Sequence, residues 1–287
     1  MSAVHLLVSP NAGRGKAASS VTKVANALRA EGADLVDITG VDAAASSAAA
    51  HRAVAEGATR LVVVGGDGLV HLALQAVAQT DVALGVVPVG TGNDFAAALG
   101  LPDDPEVAAR LALGDPTPLD AIRVGDRWVA SVAMAGFSAD VNERANRMRF
   151  PRGTSRYTLA TFRELPGLHH RRLTLTVDGR PHQFEVALVA VGNTSSFGGG
   201  MQISPDADPG DGLLDVTVVA DIGRIDLLRF FRLVFDGRHL DHPKVHTLRG
   251  TEIRIEGDEL ELWGDGEPVA SAPLTLTALP GALALAR

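Results

Sequence analysis

Hydrophobic and polar positions in the first third of the chain alternate between two patterns. Short β-branched runs begin at residues 4, 34, 61 and 82, and the Ala-rich stretches between them, near residues 17–31, 42–56 and 69–79, have helical spacing. Strands that alternate with helices favour a parallel sheet with helices on both faces. Because ligands of such sheets bind at the carboxyl ends of the strands, chemistry is expected in the loops that follow these runs.

The pattern changes after about residue 119. Runs of alternating apolar residues lie at 127–135, 171–177, 182–191, 212–220 and 251–263, and Asp-Gly or Gly-Asp turns join them. This pattern predicts a mostly antiparallel β domain. Two helices are expected to interrupt it, one in an arginine-rich region and one near residues 224–235. The length of 287 residues suits two packed domains.

The amino-acid composition of the chain excludes several classes of function. The absence of cysteine excludes disulfides, thiolate metal sites and cysteine nucleophiles, and it suits a reducing, cytoplasmic location. A net charge of −8 argues against a general nucleic-acid binder. Residues 143–172 are the exception, since eight arginines and two glutamates give this segment a charge of +6. No signal peptide is expected, because the first residues lack a basic n-region. No transmembrane helix is expected, because the longest uncharged run, residues 186–205, contains Asn, Thr, Ser and Gly residues that a bilayer core would penalise.

Three glycine-rich loops follow predicted strands of the first domain. The first, SPNAGRGK at 9–16, has the G-x-G-x-x-A spacing of dinucleotide-binding loops but lacks Walker A spacing, and an ordinary βα turn fits it equally well. The second, VVVGGDGL at 62–69, offers close backbone amides and the Asp67 carboxylate for phosphate or magnesium. The third, PVGTGNDFA at 88–96, adds a hydroxyl, an amide and a carboxylate. Three such loops converge on one edge of a parallel sheet, which favours a phosphate or metal site there over simple tight turns.

Two further clusters lie in the second domain. In WGDGEPV at 263–269, Asp265 and Glu267 flank a glycine, and turn chemistry alone predicts a β-hairpin. His239, His242 and His246 have helical spacing, but Asp241 and Pro243 interrupt any helix. We therefore predict that these histidines lie in a polar loop and do not form a metal site.

Six motifs in one order give the sequence a family resemblance over essentially its whole length. It resembles the diacylglycerol kinase catalytic-domain family of soluble bacterial lipid kinases, which also includes sphingosine and ceramide kinases. The motifs are the first-loop pattern, GGDG at 65–68, GTGNDFA at 90–96, LDAIRV at 119–124, the GN…GGG…PDA…DGLLD run at 192–215, and DGEP at 265–268.

The resemblance implies an α/β fold: a nucleotide-binding domain over residues 1–120, similar to NAD kinases and phosphofructokinases, and a lipid-binding antiparallel β-sandwich over 121–277. A tail of about residues 278–287 would return to the first domain, and the active site would lie in the cleft between the domains. The implied ATP contacts lie in the three glycine-rich loops and at Thr39. They are Ser9, Pro10, Asn11, Ala12 and Gly13 of the first loop, Gly65, Gly66, Asp67, Gly68 and Leu69 of the second, and Thr91, Gly92, Asn93 and Asp94 of the third. The contacts of the second loop would continue to Leu72.

The same resemblance implies two magnesium sites and a catalytic pair. Asp67, Asp94 and Glu267 would arrange the catalytic magnesium, and the pair Asp265 and Glu267 would supply the base, with no choice between them. A structural magnesium would fall on the Asp211 carboxylate and on the carbonyls of Asp208 and Leu213. Asp120 would be a supporting acid, paired to a basic residue such as Arg156.

Departures from the family pattern at four positions set this chain apart. Ser9 replaces the usual Asn, and the usual GGDGT-x-N-E continues here with Leu69, His71 and Leu72, so that a hydroxyl, an amide and a carboxylate are missing. Altered nucleotide affinity, a different phosphate donor and weakened catalysis all remain open.

The function predicted is an ATP- and magnesium-dependent lipid kinase acting on diacylglycerol or a similar lipid, cytoplasmic and peripherally attached to the inner membrane face. Residues 143–172 would bind anionic phospholipid, or would form a solvated helix face with internal ion pairs. A homodimer is possible. The alternatives are an NAD kinase, which shares GGDG, and a non-catalytic nucleotide- or lipid-binding protein.

Overall fold

The computed structural model describes residues 3–9, 16–148, 159–160, 163–258 and 260–287. The chain forms two compact units, Met1–Ala121 together with Pro280–Arg287, and Ile122–Leu279. The chain leaves the first unit within one strand and re-enters it within another.

The first unit has the predicted alternation of strands and helices. Its elements are β1 (Val4–Val8), α1 (Lys16–Ala30), β2 (Leu35–Asp37), α2 (Ala43–Ala55), β3 (Arg60–Gly65), α3 (Asp67–Val77), β4 (Ala83–Pro88), α4 (Asp94–Ala98), α5 (Pro105–Leu111) and the first part of β5 (Pro116–Val124). The helix starts follow local capping chemistry: the Asp42 side chain accepts from the Ala45 N–H before α2, and Asp104 accepts from two N–H groups of the first turn of α5.

Four strand pairs of the first unit's sheet are parallel: β1 with β2, β1 with β3, β3 with β4, and β4 with the final strand of the chain. The order is β4, β3, β1 and β2, and residues 284–286 of the final strand lie beside β4. Helices α1 and α5 pack on β1, β3 and β4 through buried Val, Leu and Ala side chains, whereas α2 packs against α3. The strands are apolar on both sides, as burial under two helical layers requires. This places the carboxyl ends of β1, β3 and β4 side by side.

The second unit is mainly antiparallel. It contains the end of β5, β6 (Arg127–Val129), β7 (Val132–Gly136), α6 (Phe137–Arg147), β8 (Arg171–Val177), β9 (Arg180–Gly192), β10 (Leu214–Ala220), α7 (Arg224–Leu233), β11 (Val245–Gly250), β12 (Glu252–Gly257), β13 (Glu261–Gly264), β14 (Glu267–Ser271) and the first part of β15 (Leu274–Ala286). Short 3-10 turns cover residues 165–167, 234–236 and 238–241.

Two apolar clusters hold the second unit together. One joins side chains of the strands, including Leu175, Val189, Val216 and Ile253. The other lies under α6 and α7 and contains four aromatic rings, those of Phe137, Phe197, Phe230 and Phe231. The parallel first sheet and the antiparallel second unit confirm the predicted α/β fold class.

His239 corrects the prediction of a polar histidine loop. Its side chain is fully buried in the 3-10 turn at 238–241, where Nε2 lies 3.1 Å from the Ile203 carbonyl and the ring packs edge-on against Phe230 at 5.2 Å. Burial lowers the pKa of His239, so the ring is neutral. His246, in contrast, is exposed on β11. Among the described residues, no three His, Asp or Glu side chains are grouped so that they could hold a metal ion.

No described helix combines the length and the apolar character that crossing a membrane demands.

Candidate active site

The three glycine-rich loops begin side by side at the carboxyl edge of the first unit's sheet. The Ser9 N–H donates to the Val64 carbonyl, and the Val89 N–H donates to the Gly65 carbonyl, both at 3.0 Å. The parallel pairing therefore continues one residue past each strand and fixes where the loops leave the sheet. Pro10, Asn11, Ala12 and Gly13 of the predicted ATP site lie outside the described residues.

The second and third loops touch through glycine backbones. A Cβ placed on Gly90 would lie 2.6 Å from the Cα of Gly66, so a side chain here would force the loops apart. Asn93, in the left-handed region at φ 60°, closes the third loop: its Oδ1 accepts from the Gly90 N–H at 3.0 Å, and its Nδ2 donates to the Gly90 carbonyl at 3.2 Å. The predicted site residue Asn93 thus shapes the loop.

Two carboxylates lie close to Gly92. A Cβ on Gly92 would come within 2.8 Å of Asp67 Oδ2 and 3.7 Å of Asp94 Oδ2, so the absent side chain leaves space beside both groups. Asp67 is held in place because its Oδ1 accepts the Phe95 N–H at 3.1 Å. Hard carboxylate oxygens facing a cradle of this kind fit Mg²⁺ and the phosphates that accompany it.

Helix α3 directs its first turn at this cradle. Asp67 is its first residue, and the N-cap Gly66 makes no side-chain hydrogen bond to the helix. The N–H groups at the start of an eleven-residue helix are donors suited to phosphate. Gly68 and the predicted contact Thr91 are both exposed on this side of the sheet.

Leu69 and His71, two of the residues that depart from the family pattern, make structural contacts from helix α3. Leu69 folds back over the last residue of β3, since a Cβ on Gly65 would lie 2.8 Å from Leu69 Cδ2. His71 is buried, at 5% exposure, and its Nε2 lies 3.5 Å from the Gln75 amide nitrogen. These side chains pack the helix against the sheet, so the polar groups missing from the family pattern are replaced by packing contacts.

Thr39 lies beside the end of β1. Its Oγ1 accepts the Val8 N–H at 3.0 Å, and its own N–H donates to Asp37 Oδ1 at 2.9 Å. The hydroxyl hydrogen of Thr39 is still available as a donor, as its predicted role as an ATP contact requires.

In the second unit, the predicted catalytic hairpin forms between β13 and β14. Asp265 and Gly266 have positive φ values of 52° and 84°, which a tight Asp-Gly hairpin turn requires. The Asp265 carboxylate accepts two backbone hydrogen bonds, from Ala130 to Oδ2 at 2.8 Å and from Ser131 to Oδ1 at 2.9 Å. These two bonds fix the orientation of the carboxylate.

Asn193 supports the segment that holds Asp265, a role that sequence reasoning missed. Its Nδ2 donates to the Ala130 carbonyl at 2.8 Å, and its N–H donates to the Ser131 carbonyl at 2.8 Å. The side chain is 1% exposed. A polar Asn at the end of the long apolar run of β9 was the available signal. Glu267, in contrast, is exposed at the start of β14.

Asp120 is buried at 4% exposure, and its Oδ1 accepts the Gly281 N–H at 2.8 Å. This bond ties the end of the first unit's main segment to the returning strand β15. The predicted partner Arg156 lies outside the described residues.

The loop predicted to hold a structural magnesium is closed by an arginine. Asp211 Oδ1 accepts the Leu213 N–H at 2.9 Å, and Asp211 Oδ2 pairs with the Arg249 guanidinium. Asp208 Oδ1 accepts the Gly210 N–H at 3.0 Å. The positive charge of Arg249 beside Asp211 opposes a bound Mg²⁺, so the structural magnesium stays a prediction that requires Arg249 to move.

Arg249 also contacts Asp215, through Nε to Oδ2 at 3.2 Å. Burial raises the pKa of Asp215, Arg249 opposes this effect, and the neighbouring Asp211 adds to it. The guanidinium therefore compensates two nearby carboxylates.

Within the arginine-rich segment 143–172, the described guanidinium groups are largely paired. Arg144 pairs with Glu164, and Arg171, whose side chain is 13% exposed, binds both Asp140 oxygens at 2.9 and 3.2 Å. Arg172 is 90% exposed and lies 4.0 Å from Glu185. Residues 149–158, with three more arginines, lie outside the described residues, so lipid binding by this segment stays a prediction.

A parallel sheet with glycine-rich loops, two carboxylates and a helix start at its carboxyl edge is typical of a phosphate-handling enzyme. Family models agree with this class: residues 3–124 match the diacylglycerol kinase catalytic domain, and residues 131–287 match the YegS C-terminal NAD kinase beta sandwich-like domain. The chain belongs to the family of bacterial diacylglycerol kinases and YegS-like lipid kinases, and it is a lipid kinase.

Individual relatives cover nearly the whole chain. A diacylglycerol kinase of Mycobacterium tuberculosis is 38% identical over 99% of this chain and 94% of the relative. A YegS-like lipid kinase of Pseudomonas putida is 30% identical over 81% of this chain and 78% of the relative. A solved structure from Bacillus anthracis str. Sterne, described as a diacylglycerol kinase, has the same fold, with a TM-score of 0.83, 24% identity, and coverage of 99% of this chain and 94% of that chain.

Proposed function

We propose that this lipid kinase transfers the γ-phosphate of ATP, with Mg²⁺, to the free hydroxyl of diacylglycerol. The observation that carries the proposal is the pair of carboxylates, Asp67 and Asp94, close to Gly92 at the sheet edge. Anionic oxygens beside glycine backbone and a helix start suit a metal-bound polyphosphate better than a neutral ligand.

The two units would have separate tasks. In the first unit, Asp67, Asp94 and the start of α3 would hold Mg²⁺ and the phosphates, with Glu267 of the second unit as a further carboxylate for the metal. When bound, Mg²⁺ neutralises charge on the phosphates and orients them. Most of the rate enhancement in phosphoryl transfer comes from such positioning and charge neutralisation.

We assign the base role to Asp265. A general base acts best when its carboxylate is held in one orientation, and the N–H groups of Ala130 and Ser131 hold Asp265 in this way. In the transfer, the lipid O–H bond breaks and its proton goes to Asp265. A bond forms between the lipid oxygen and the γ-phosphorus while the bond from that phosphorus to the β,γ-bridging oxygen breaks, which leaves ADP. Glu267, exposed and two residues further on, is better suited to a mobile metal ligand.

The choice of diacylglycerol rests on relatives. The Mycobacterium tuberculosis protein, 38% identical over 94% of its length, carries the name diacylglycerol kinase, and the first family model describes a diacylglycerol kinase catalytic domain. A lipid acceptor also implies work at a membrane surface. We therefore propose a cytoplasmic enzyme that attaches peripherally to the inner membrane face.

The test is phosphate transfer from labelled ATP and Mg²⁺ to diacylglycerol, monoacylglycerol, sphingosine, ceramide, phosphatidylglycerol and NAD, in mixed micelles. Wild type is compared with Asp265→Asn, Glu267→Gln and the control Asp178→Asn, whose carboxylate also accepts two backbone N–H groups. Label on diacylglycerol that both site variants abolish, and the control keeps, supports the proposal. Label on NAD alone or on another lipid, or transfer that Asp265→Asn leaves unchanged, would overturn it.

A further inference from the structure

The outward face of α7 combines exposed apolar side chains with arginines. Ile225 is 70% exposed and Phe235, in the 3-10 turn that follows α7, is 48% exposed. Among the described residues of the second unit, no other large apolar side chain is this exposed. Ile225 and Phe235 lie near the two ends of one helical segment, and exposed apolar side chains of this size are candidates for an interaction surface.

Arginines surround these two side chains. Ile225, Arg229 and Arg232 are spaced i, i+4 and i+7, so they lie on one stripe of the helix. Arg224 precedes the stripe and Arg238 follows Phe235, and all four arginines are exposed. Residues 224–238 carry a charge of +2 in a chain whose total is −8, so the rest of the chain carries −10.

The opposite face of the same segment is anchored in the core. Leu227, Phe230 and Val234 are at most 1% exposed and belong to the apolar cluster under α6 and α7. The Arg224 guanidinium donates to the Pro166 carbonyl at 2.6 Å, which ties the start of α7 to a neighbouring turn. The segment therefore presents its outward face without any rearrangement.

We propose that this α7 face, formed by Ile225, Arg229, Arg232, Phe235 and Arg238, is the surface by which the enzyme docks on an anionic lipid bilayer. Guanidinium groups bind headgroup phosphates, and the two apolar side chains enter the interface between headgroups and acyl chains, as on other interfacial helices. The inference deepens the proposed function, since a lipid acceptor gives the enzyme a reason to bind a bilayer.

The composition of the patch favours a bilayer over a protein partner. Protein interfaces place apolar residues in a continuous centre with few charges. Here two arginines lie between Ile225 and Phe235, and one of them, Arg229, pairs with Asp226 at 2.8 Å while both side chains stay largely in solvent. An exposed pair of this kind is weak and exchanges readily for headgroup phosphate.

The experiment measures binding of the full chain to phosphatidylcholine vesicles with and without phosphatidylglycerol, by co-sedimentation, without ATP. Compared with wild type, Ile225→Ser with Phe235→Ser, and Arg229→Gln with Arg232→Gln, are each expected to weaken binding to the anionic vesicles by about tenfold or more, because each arginine contributes about fivefold. The matched controls are Val107→Ser, exposed on α5, and Arg52→Gln with Arg127→Gln, exposed elsewhere. Thermal unfolding checks that the variants fold.

A second measurement separates docking from catalysis. Transfer to a short-chain diacylglycerol below its micelle concentration should be the same for the docking variants and wild type. If wild type binds anionic vesicles through this face but phosphorylates no lipid, docking stands and the proposed function fails. Docking itself is overturned if wild type ignores anionic vesicles, if both pairs of variants bind as wild type does, or if the variants change only self-association in sedimentation.

Discussion

Asp265 and Asp178 occupy equivalent positions in two Asp-Gly turns of the second unit, and each carboxylate accepts two backbone N–H groups. Their φ values are 52° and 45°, and Asp178 accepts from Thr251 and Glu252 at 3.0 and 2.9 Å. These bonds lower the pKa of Asp178. The two turns differ in the residue after the glycine, which is Glu267 in one and Arg180 in the other. The fold alone therefore explains the Asp-Gly turn at Asp265. Only the presence of Glu267 two residues after Asp265 indicates a catalytic role.

Replacement of Asp by Asn is expected to affect kcat strongly at residue 265 and very little at residue 178. Asp265→Asn should lower kcat by about a hundredfold or more, as expected for loss of a general base. It should also lower thermal stability, because the Asn NH2 group cannot accept one of the two backbone N–H groups that the carboxylate accepts. Asp178→Asn should leave kcat within about twofold of wild type, because its carboxylate only anchors a turn. Steady-state kinetics and thermal unfolding of both variants make the check, and equal losses of activity in the two would refute the base assignment.

Gly92 predicts a steric effect on metal use. In Gly92→Ala the new methyl group would meet Asp67 Oδ2 at 2.8 Å, so we expect the carboxylate to be displaced and the Mg²⁺ concentration for half-maximal activity to rise by about tenfold. Gly167→Ala is the control, since the nearest atom to its Cβ is 4.0 Å away. Magnesium titrations of activity at saturating ATP test this, and an unchanged titration for Gly92→Ala would count against the site.

Asn193 is predicted to act on catalysis through Asp265. Asn193→Ala removes the donor to the Ala130 carbonyl, which should cost about 1–3 kcal/mol of unfolding free energy and loosen the segment that fixes Asp265. We expect kcat to fall by about tenfold while KM for ATP stays near the wild-type value. A rise in that KM with unchanged kcat would show that Asn193 has a different role.

Arg249→Gln tests the closed loop at Asp211. The variant leaves Asp211 and Asp215 without their cation, and we expect a loss of about 1–2 kcal/mol in the free energy of unfolding at neutral pH. Arg254→Gln, which breaks an exposed pair with Glu256, should cost less than about 0.5 kcal/mol. Added Mg²⁺ should raise the Tm of Arg249→Gln more than that of wild type, because an Asp211 oxygen becomes available to the metal.

The free energy of unfolding that Arg249→Gln loses is expected to depend on pH in one direction. The folded-state pKa of Asp215 is already raised by burial, and removing Arg249 raises it further. A raised carboxyl pKa contributes stability that is present below the ordinary value of 3.8 and is lost as pH rises through the folded-state pKa. The stability difference between Arg249→Gln and wild type should therefore shrink as pH falls towards 3.8. Denaturant unfolding across this range checks it, and a constant difference would exclude Asp215 as its source.

The periodic first third of the sequence predicted its elements well, because β1, β3 and β4 are largely buried and the helices between them alternate with these apolar runs. The expected helices at 17–31 and 42–56 correspond to α1 and α2 within a residue at each end. The start of α3 at Asp67, two residues before the expected one, is explained by the glycine pair that caps it. Sequence patterns therefore predict secondary structure correctly where residues close in the sequence determine it.

Contacts between distant residues set the limits of sequence reasoning. Nothing local indicates that Asp265 receives the N–H groups of Ala130 and Ser131, or that Arg249 reaches Asp211, since these partners are more than thirty residues apart. His239 was wrongly placed in a polar loop because its burial depends on Phe230 and Ile203. Residue spacing in the sequence identifies candidate catalytic residues. Only the tertiary contacts show which carboxylate is held in one orientation and which is exposed.

The return of β15 to the first unit also bears on how the protein is made. Residues 284–286 pair with β4, and the Gln79 N–H donates to the Ala282 carbonyl at 2.7 Å. During synthesis β4 therefore remains an open sheet edge while the ribosome adds the whole of residues 122–279. Unpaired edges of this kind invite association with other chains. We expect nascent chains stopped before residue 280 to bind chaperones and to be cut readily by proteases, and release of the last few residues to abolish both.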